Sequence, residues 1–382
     1  MLKRRLNKMS NSDKFFNDFK DVIDHPKKYI MKHIEKTGQK AIGCMPLYTP
    51  EELVLAAGMF PVGVWGSNTE LSKAKTYFPA FICSILQTTL ENALNGEYDM
   101  LSGMMIPNYC DSLKCMGQNF KLTVENIDFI PVTVPQNRKM EAGKEFLKSQ
   151  YKMNIEQLEK ISGNKITDES LEKAIEIYDE HRKIMNDFSM LASKYPDVIT
   201  PTKRNYVMKS AYYMDKKEHT EKVRQLMDEI KTIDSKPFEG KRVITTGIIA
   251  DSEDLLKILE ENNIAIVGDD IAHESRQYRT LTPEAATPMD RLAEQFANRE
   301  CSTLYDPEKK RGKYIVEMAK ERKADGIIFF MTKFCDPEEY DYPQMKKDFE
   351  EAGIPHVLIE TDMQMKNYEQ ARTAIQAFSE TL

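Results

Sequence analysis

The sequence predicts an α/β protein in which two small parallel-sheet domains flank a helical segment. Three observations carry this expectation. Apolar strand-like runs alternate with amphipathic runs over residues 41–140, and they do so again over 236–382. Between them, over 141–235, strand signals vanish. Strands alternating with helices form a parallel sheet covered on both faces. The expected division is a charged helical segment (1–40), a first α/β domain (41–140), a helical middle segment (141–235) and a second α/β domain (236–382). Both α/β units would be of the flavodoxin/Rossmann-like kind.

AIGCMPLY (41–48) reads as the first strand and TPEELVLAAG as a short helix after it. Thr49 suits the N-cap, Pro50 the first helical position and Glu52 a capping box, with Gly58 closing the helix. FPVGVWG (60–66) is the next strand. Residues 84–95 place Ile85, Leu86, Leu90, Ala93 and Leu94 on one side of a helix. GMMIPNYC and DFIPVTVPQ (128–136) supply the third and fourth strands. Residues 168–191 form one long helix, its start favoured by Asp168 and Glu169, and 216–233 form another. The second alternating unit runs KRVITTGIIA (241–250), helix 252–262, strand NNIAIVGDD, helices near 288–298 and 308–322, strand GIIFFMTKFC, helix 337–352, strand IPHVLIETD and helix 366–380. The architecture repeats without a strict sequence repeat.

Bulk properties exclude several classes. A chain of 382 residues is long enough for two or three domains. A net charge of -7 argues against nucleic acid as the main partner. No apolar run approaches the roughly 18 residues that span a bilayer. The basic start MLKRRLNKMSNSDKFF lacks the apolar core of a secretory signal. Six cysteines without an export signal point to a reducing cytoplasm, where thiols act as ligands or nucleophiles rather than in disulfides. The 22 methionines are compatible with an anaerobic setting.

Three cysteines stand at expected helix entrances: Cys83 in FPAFICSILQ, Cys110 in MIPNYCDSLK and Cys335 in FFMTKFCDPEE. The last two share a strand–Cys–Asp–helix form in different halves of the chain. A helix N-terminus offers free N–H groups and partial positive charge, which stabilise a thiolate. Ser84, Asp111 and Asp336 are the expected caps of the three helices, and each cysteine taken singly could be a buried structural one. Cys110, Cys335 and Cys44 lie at carboxyl ends of strands, where parallel sheets gather ligands. Cys115, a turn beyond Cys110, ranks below the first three, and Cys301 and Cys44 are left as structural.

There is no C-x-x-C pair, and no histidine neighbours the three cysteines. The six histidines look scattered and mostly exposed. A [4Fe–4S] cluster with three protein ligands and one open position fits the count. P-loop, G-x-G-x-x-G and G-x-S-x-G motifs are absent. The stretch Ser275, Arg276, Gln277, Tyr278, Arg279 could bind phosphate or a carboxylate, or be a solvated basic loop. Glu51 and Glu52 could act as acid or base, though helix capping explains them more simply.

AIGCMPLYTPEELVLAAGMFPVGVWG, FICSILQTTLENAL, PNYCDSLKCMGQ, GIIFFMTKFCDPEEYDYP and ETD…EQARTAIQAF together resemble the 2-hydroxyacyl-CoA dehydratase family over essentially the whole chain. VPQNRKMEAG, YDPEKKRG and FCDPEEYDYP are similar to beta subunits acting on 2-hydroxyisocaproyl-CoA or phenyllactoyl-CoA. The resemblance implies a lyase that removes water from a 2-hydroxyacyl-CoA through a ketyl radical. It implies a heterodimer with a related alpha subunit that binds the substrate, and a separate ATP-hydrolysing iron–sulfur activator. It implies a [4Fe–4S] cluster on Cys83, Cys110 and Cys335 that relays an electron to the alpha subunit. Two departures stand out: Ala374 replaces a more usual arginine, and Cys115 is an extra thiol. A benzoyl-CoA-type reductase subunit is the rival within the family, and a two-lobed cytoplasmic binding protein the rival outside it.

Overall fold

The computed structural model describes residues 2–45, 47–234, 237–299 and 306–382. Its first half opens with helices α1 (Leu2–Asp24) and α2 (Pro26–Thr37). Strands β1 (Ala41–Cys44), β2 (Phe60–Gly63), β3 (Leu101–Pro107) and β4 (Asp128–Val132) follow, with helices α3 (Glu51–Ala56), α4 (Ser84–Leu94) and α5 (Asp111–Thr123) between them. The four strands pair in parallel in the order β2-β1-β3-β4. The central strands are apolar on both faces because helices cover both.

Four helices come next: α6 (Glu141–Ser162), α7 (Asp168–Lys194), α8 (Pro201–Ser210) and α9 (Lys216–Lys231). Thr167 caps α7 in a reciprocal box with Ser170. Helix α1 packs on α8 and α9, and α7 on α9, around Phe16, Phe19, Phe188, Val223 and Leu226. The amino-terminal helix is thus built into the helical layer.

The second sheet holds β5 (Lys241–Gly247), β6 (Ile264–Ile271), β7 (Gly326–Thr332) and β8 (His356–Thr361). Helices α10 (Glu253–Glu261), α11 (Ser275–Tyr278), α12 (Pro288–Asn298), α13 (Arg311–Glu321), α14 (Asp336–Glu351) and α15 (Glu369–Thr381) surround it. Its order, β6-β5-β7-β8, repeats that of the first sheet, again all parallel. The expected α/β class and the repeated architecture are both present.

Several local expectations fail. Thr49 does not cap α3: its hydroxyl donates to the Met45 carbonyl at 2.8 Å, and Pro50 holds the cap position. Glu52 makes no capping box, because its carboxylate is drawn to Arg182. Ser84, Asp111 and Asp336 are first helical residues, and the cysteines before them occupy the N-cap positions. The histidines are not mostly exposed: His181, His219 and His273 are buried. His181 Nε2 lies 3.1 Å from His219 Nδ1, in the seam between α7 and α9.

A buried hub joins the three layers. Arg182 of α7 pairs with Glu52 of α3 and with Asp179 at 2.9 Å. Asp179 also accepts from the Thr282 amide at 3.0 Å, in the segment before α12. Burial alone would raise the Glu52 carboxyl, but the Arg182 guanidinium outweighs it and holds the group below the usual carboxylate range. No helix is long and apolar enough to cross a membrane among the described residues.

Two expectations follow. Burial, reinforced by Lys216, lowers His219 from 6.5 to about 3. The folded ring stays neutral while the unfolded chain takes a proton, so this contribution is complete above pH 6.5 and is lost as pH falls toward 3. His219→Gln should flatten the fall in stability between pH 6 and 5 by about 1.4 kcal/mol per pH unit in urea melts. An unchanged slope would contradict the assignment. At Gly63, a Cβ would enter the ring of Tyr212 after α8. Gly63→Ala should therefore destabilise by about 1–3 kcal/mol, measured the same way.

Candidate functional site: three thiols at helix N-termini

Cys110 follows β3 through Asn108 and Tyr109. The Asn108 side chain accepts from Val134 N at 3.0 Å, which fixes the exit of the strand. Cys110 then takes extended backbone angles, and its Sγ accepts from Leu113 N at 3.4 Å. The thiol itself is the cap.

Cys335 follows β7 in the same way. Its amide donates to the Thr332 carbonyl at 3.1 Å, and its carbonyl accepts from Glu338 and Glu339, both at 3.0 Å. Phe334, just before it, is a non-glycine residue at φ 61°, a left-handed geometry that tends to persist where surrounding packing holds it. Cys110 and Cys335 hold equivalent places, each after the third strand of its sheet and at the start of the next helix. Cys83 reaches the region by a different connection, at the N-cap position of α4 between β2 and β3. Its neighbour Ser84 accepts from Met363 N at 3.1 Å, and Gln87 accepts from Gln364 at 3.4 Å. Both bonds tie α4 to the segment after β8, so they couple Cys83 to the second sheet.

The three thiols lie within electrostatic reach of one another. Burial pushes Cys83 up to about 12, against amide N–H groups of Ile85 and Leu86, and the neighbouring Cys110 adds to the rise. Burial also raises Cys110, opposed by the amides of Leu113 and Ser112. Cys335 rises well above the usual thiol range through burial, then Glu338 and Cys83, with Cys110 contributing. Cys83 and Cys335 flank one apolar cluster together with Tyr109, and Cys83 and Cys110 flank a second. Among the described residues, no three of His, Cys, Asp or Glu are gathered as ligands of a single metal ion. The thiols are neighbours rather than a closed one-ion site.

The other candidates lie elsewhere. Cys44 is buried at the end of β1, its Sγ 3.8 Å from the Ile42 carbonyl. Cys115 is exposed and accepts from Asn119 at 3.6 Å. Cys301 falls outside the described residues. Glu51 accepts from the Tyr178 hydroxyl at 2.7 Å and pairs with Lys216 at 3.3 Å, while Glu52 belongs to the hub.

Arg276 is not part of a solvated loop. Its side chain is closed to solvent and pairs with Asp270 at 3.0 Å and Glu338 at 3.2 Å. Arg311 pairs with Asp270 at 2.7 Å and Glu338 at 2.8 Å, and Arg279 with Asp270 at 2.6 Å. Burial pushes the Glu338 carboxyl up to about 7, against the pull of Arg311. Glu338 sits in the first turn of α14, so this network anchors the turn that Cys335 opens. The sequence displayed the arginines, but their partners Asp270 and Glu338 gave no local signal.

Comparisons with known proteins agree with this architecture. Residues 46–382 match the family model described as 2-hydroxyglutaryl-CoA dehydratase, D-component. The chain is 96% identical over 374 residues to the (R)-phenyllactyl-CoA dehydratase beta subunit of Clostridium sporogenes, covering 98% of this chain and 100% of that one. It is 41% identical to the lactoyl-CoA dehydratase subunit beta of Anaerotignum propionicum, covering 98% of this chain and 100% of that one. It is 40% identical to the (R)-2-hydroxyglutaryl-CoA dehydratase subunit beta of Acidaminococcus fermentans, covering 96% of this chain and 98% of that one. The chain belongs to the 2-hydroxyacyl-CoA dehydratase family, as a beta-type subunit of hydro-lyase class.

Proposed function

We propose that Cys83, Cys110 and Cys335 hold a [4Fe–4S] cluster in this chain, and that the chain serves electron delivery in (R)-2-hydroxyacyl-CoA dehydration. The observation that carries the reading is the meeting of three thiols at helix N-cap positions, contributed by both halves of the chain, within reach of one another. The donor set fits. All three donors are soft sulfurs, and amide N–H groups at the helix starts face their charge. Burial raises all three thiols, so their thiolates need a cationic partner, which iron provides. Three soft sulfur donors in one neighbourhood, without a histidine among them, would suit an iron–sulfur cluster.

When bound, the cluster would supply one-electron chemistry. The chain's own residues do the remaining work. The three cysteines grip from two sheets, the amides after them steady the thiolate charge, and Glu338 with Arg276 and Arg311 fixes the turn behind Cys335. In this reading water leaves a 2-hydroxyacyl-CoA to give a 2-enoyl-CoA by way of a ketyl radical on the thioester. A related alpha subunit binds the substrate, and an ATP-hydrolysing iron–sulfur activator supplies the electron. The printed names of the relatives as beta subunits support an alpha partner, and the 96% relative points to an aryl-substituted acyl chain. The reducing cytoplasm belongs to the same proposal, since free thiols are its ligands.

Two measurements test this. Purified without oxygen together with its alpha-type neighbour, the chain should carry iron, sulfide and a visible chromophore. Cys335→Ala should lose iron and cost more activity than the roughly 10–100-fold typical of residues behind metal ligands. Cys115→Ala should change neither. Unaltered iron and spectrum in Cys335→Ala would sink the ligand assignment. With activator and ATP, a panel of 2-hydroxyacyl-CoA thioesters should show many turnovers per electron, with phenyllactyl-CoA among the best substrates. Consumption of electrons in step with product would instead identify a reductase.

A further inference from the structure

Two consecutive non-glycine residues after β1, Leu47 and Tyr48, hold left-handed backbone angles, φ 66° and 62°. Such angles are uncommon for bulky residues and persist where the surrounding packing imposes them. Both residues are buried. The Thr49 hydroxyl, donating to the Met45 carbonyl at 2.8 Å, closes the turn. What the turn achieves is the placement of one ring and one carbonyl. The Arg299 guanidinium lies 4.4 Å from the centre of the Tyr48 ring, and the Tyr48 carbonyl accepts from the Tyr109 hydroxyl at 3.4 Å.

Tyr109 is the residue before Cys110. Its ring meets that of Tyr48 edge-on, with centroids 5.8 Å apart, and stacks on Phe296 of α12 at 6.3 Å. Tyr109 is therefore gripped by the exit of β1 on one side and by a helix of the second half on the other. It packs against both apolar clusters that the thiols flank. Tyr48 and Phe296 are members of the one flanked by Cys83 and Cys335.

The charges near the two tyrosines give this arrangement a chemical meaning. Arg299 is buried, and among the described residues it forms no ion pair with a carboxylate; its guanidinium donates to Gln295 at 3.2 Å. The Tyr48 ring face partly replaces the missing anion. Arg299 and Arg138 act on the Tyr109 hydroxyl, and Arg279 and Arg299 on that of Tyr48. No arginine is among the leading influences on the three thiols, which are burial, helix amides, carboxylates and one another. A cation close to an iron–sulfur cluster favours its more negative, reduced form and raises its potential, and so does contact with water.

We propose that Tyr109, held by Tyr48, is a positioning residue: it fixes the turn that carries Cys110 and screens the thiol site from Arg299 and from water, so that a cluster bound there keeps a low reduction potential. The screening rests on the three-cysteine reading given above. The placement of Cys110 does not.

The test uses the complex with the alpha-type subunit, prepared without oxygen. Tyr109→Phe keeps the ring and removes the hydroxyl, Tyr109→Leu keeps apolar bulk, and Tyr109→Ala removes both. With iron retained, Tyr109→Ala should show an EPR-monitored midpoint potential more positive than that of the unaltered complex. Tyr109→Phe should leave the midpoint where it was, and Tyr109→Leu should fall between. In complex stripped of iron, alkylation with peptide mapping should label Cys110 several-fold faster in Tyr109→Ala, with the exposed Cys115 as a constant reference. Where Tyr109→Ala folds poorly or loses its iron, Tyr109→Leu carries both readings. An unmoved midpoint would overturn the screening, and unchanged Cys110 labelling would overturn the positioning. A shift in Tyr109→Phe as large as in Tyr109→Ala would also overturn the proposal, because the hydroxyl and not the ring would then be the cause. An unaltered complex without iron would sink the cluster reading and the screening with it, while Cys110 labelling would still decide the placement of its turn.

Discussion

The placement of Cys335 depends on one buried constraint, the charge network at the end of the second sheet. Asp270, next to last in β6, carries Arg276, Arg279 and Arg311, while Glu338 in the first turn of α14 carries Arg276 and Arg311. Arg311 also donates to Thr246 of β5 at 3.0 Å. Five elements, β5, β6, α11, α13 and α14, are thereby fixed to one another through groups nearly closed to solvent. Such networks are poor explanations of stability, since well-packed apolar residues often do as well. Removal of one member, however, leaves an uncompensated buried charge and costs about 3–5 kcal/mol. The network therefore acts as a geometric lock: α14 has one allowed start, and Cys335 stands at that start.

The duplicated topology explains why two thiols match and the third does not. Cys110 and Cys335 follow the third strand of sheets with the same order. Cys83 lies on the connection from second to third strand. The corresponding connection of the second sheet begins with α11 and carries Arg276 and Arg279. One half thus places a thiol where the other places arginines, of which Arg276 anchors the helix that Cys335 precedes. The two halves have the same frame and complementary duties at it.

Most of the frame was legible in the chain. Strands such as GIIFFMT and IAIVGDD are apolar enough to betray a sheet covered on both sides, and every expected strand and long helix is found within a few residues. The errors lie where side chains choose among partners at similar local cost. Thr49 had a helix to cap and turned to the Met45 carbonyl; Glu52 had a capping box and turned to Arg182. His181 and His219 looked like surface residues because nothing local reveals that they meet across a seam. Arg276 was open to two readings, ligand binding or a solvated loop, because its carboxylates are 6 and 62 positions away in the chain. The cysteines were visible as helix entrances. Their neighbourhood is a tertiary fact; position at helix entrances set these three apart from the six, and the family resemblance picked the same three.

That neighbourhood is held from outside as much as from within. Cys83 is coupled to the second sheet through Ser84 to Met363 and Gln87 to Gln364, two hydrogen bonds that cross between the halves. Glu52, Arg182, Asp179 and Thr282 make a second crossing, through the helical layer. The separation of Cys83 from Cys335 is therefore set by how two sheets and a layer of helices pack, not by any loop that carries a thiol. Burial raises all three thiols and so favours their neutral form, which neither draws them together nor drives them apart. Their neighbourhood is set by the packing of the whole chain. A group that binds all three would in turn staple the two halves to each other.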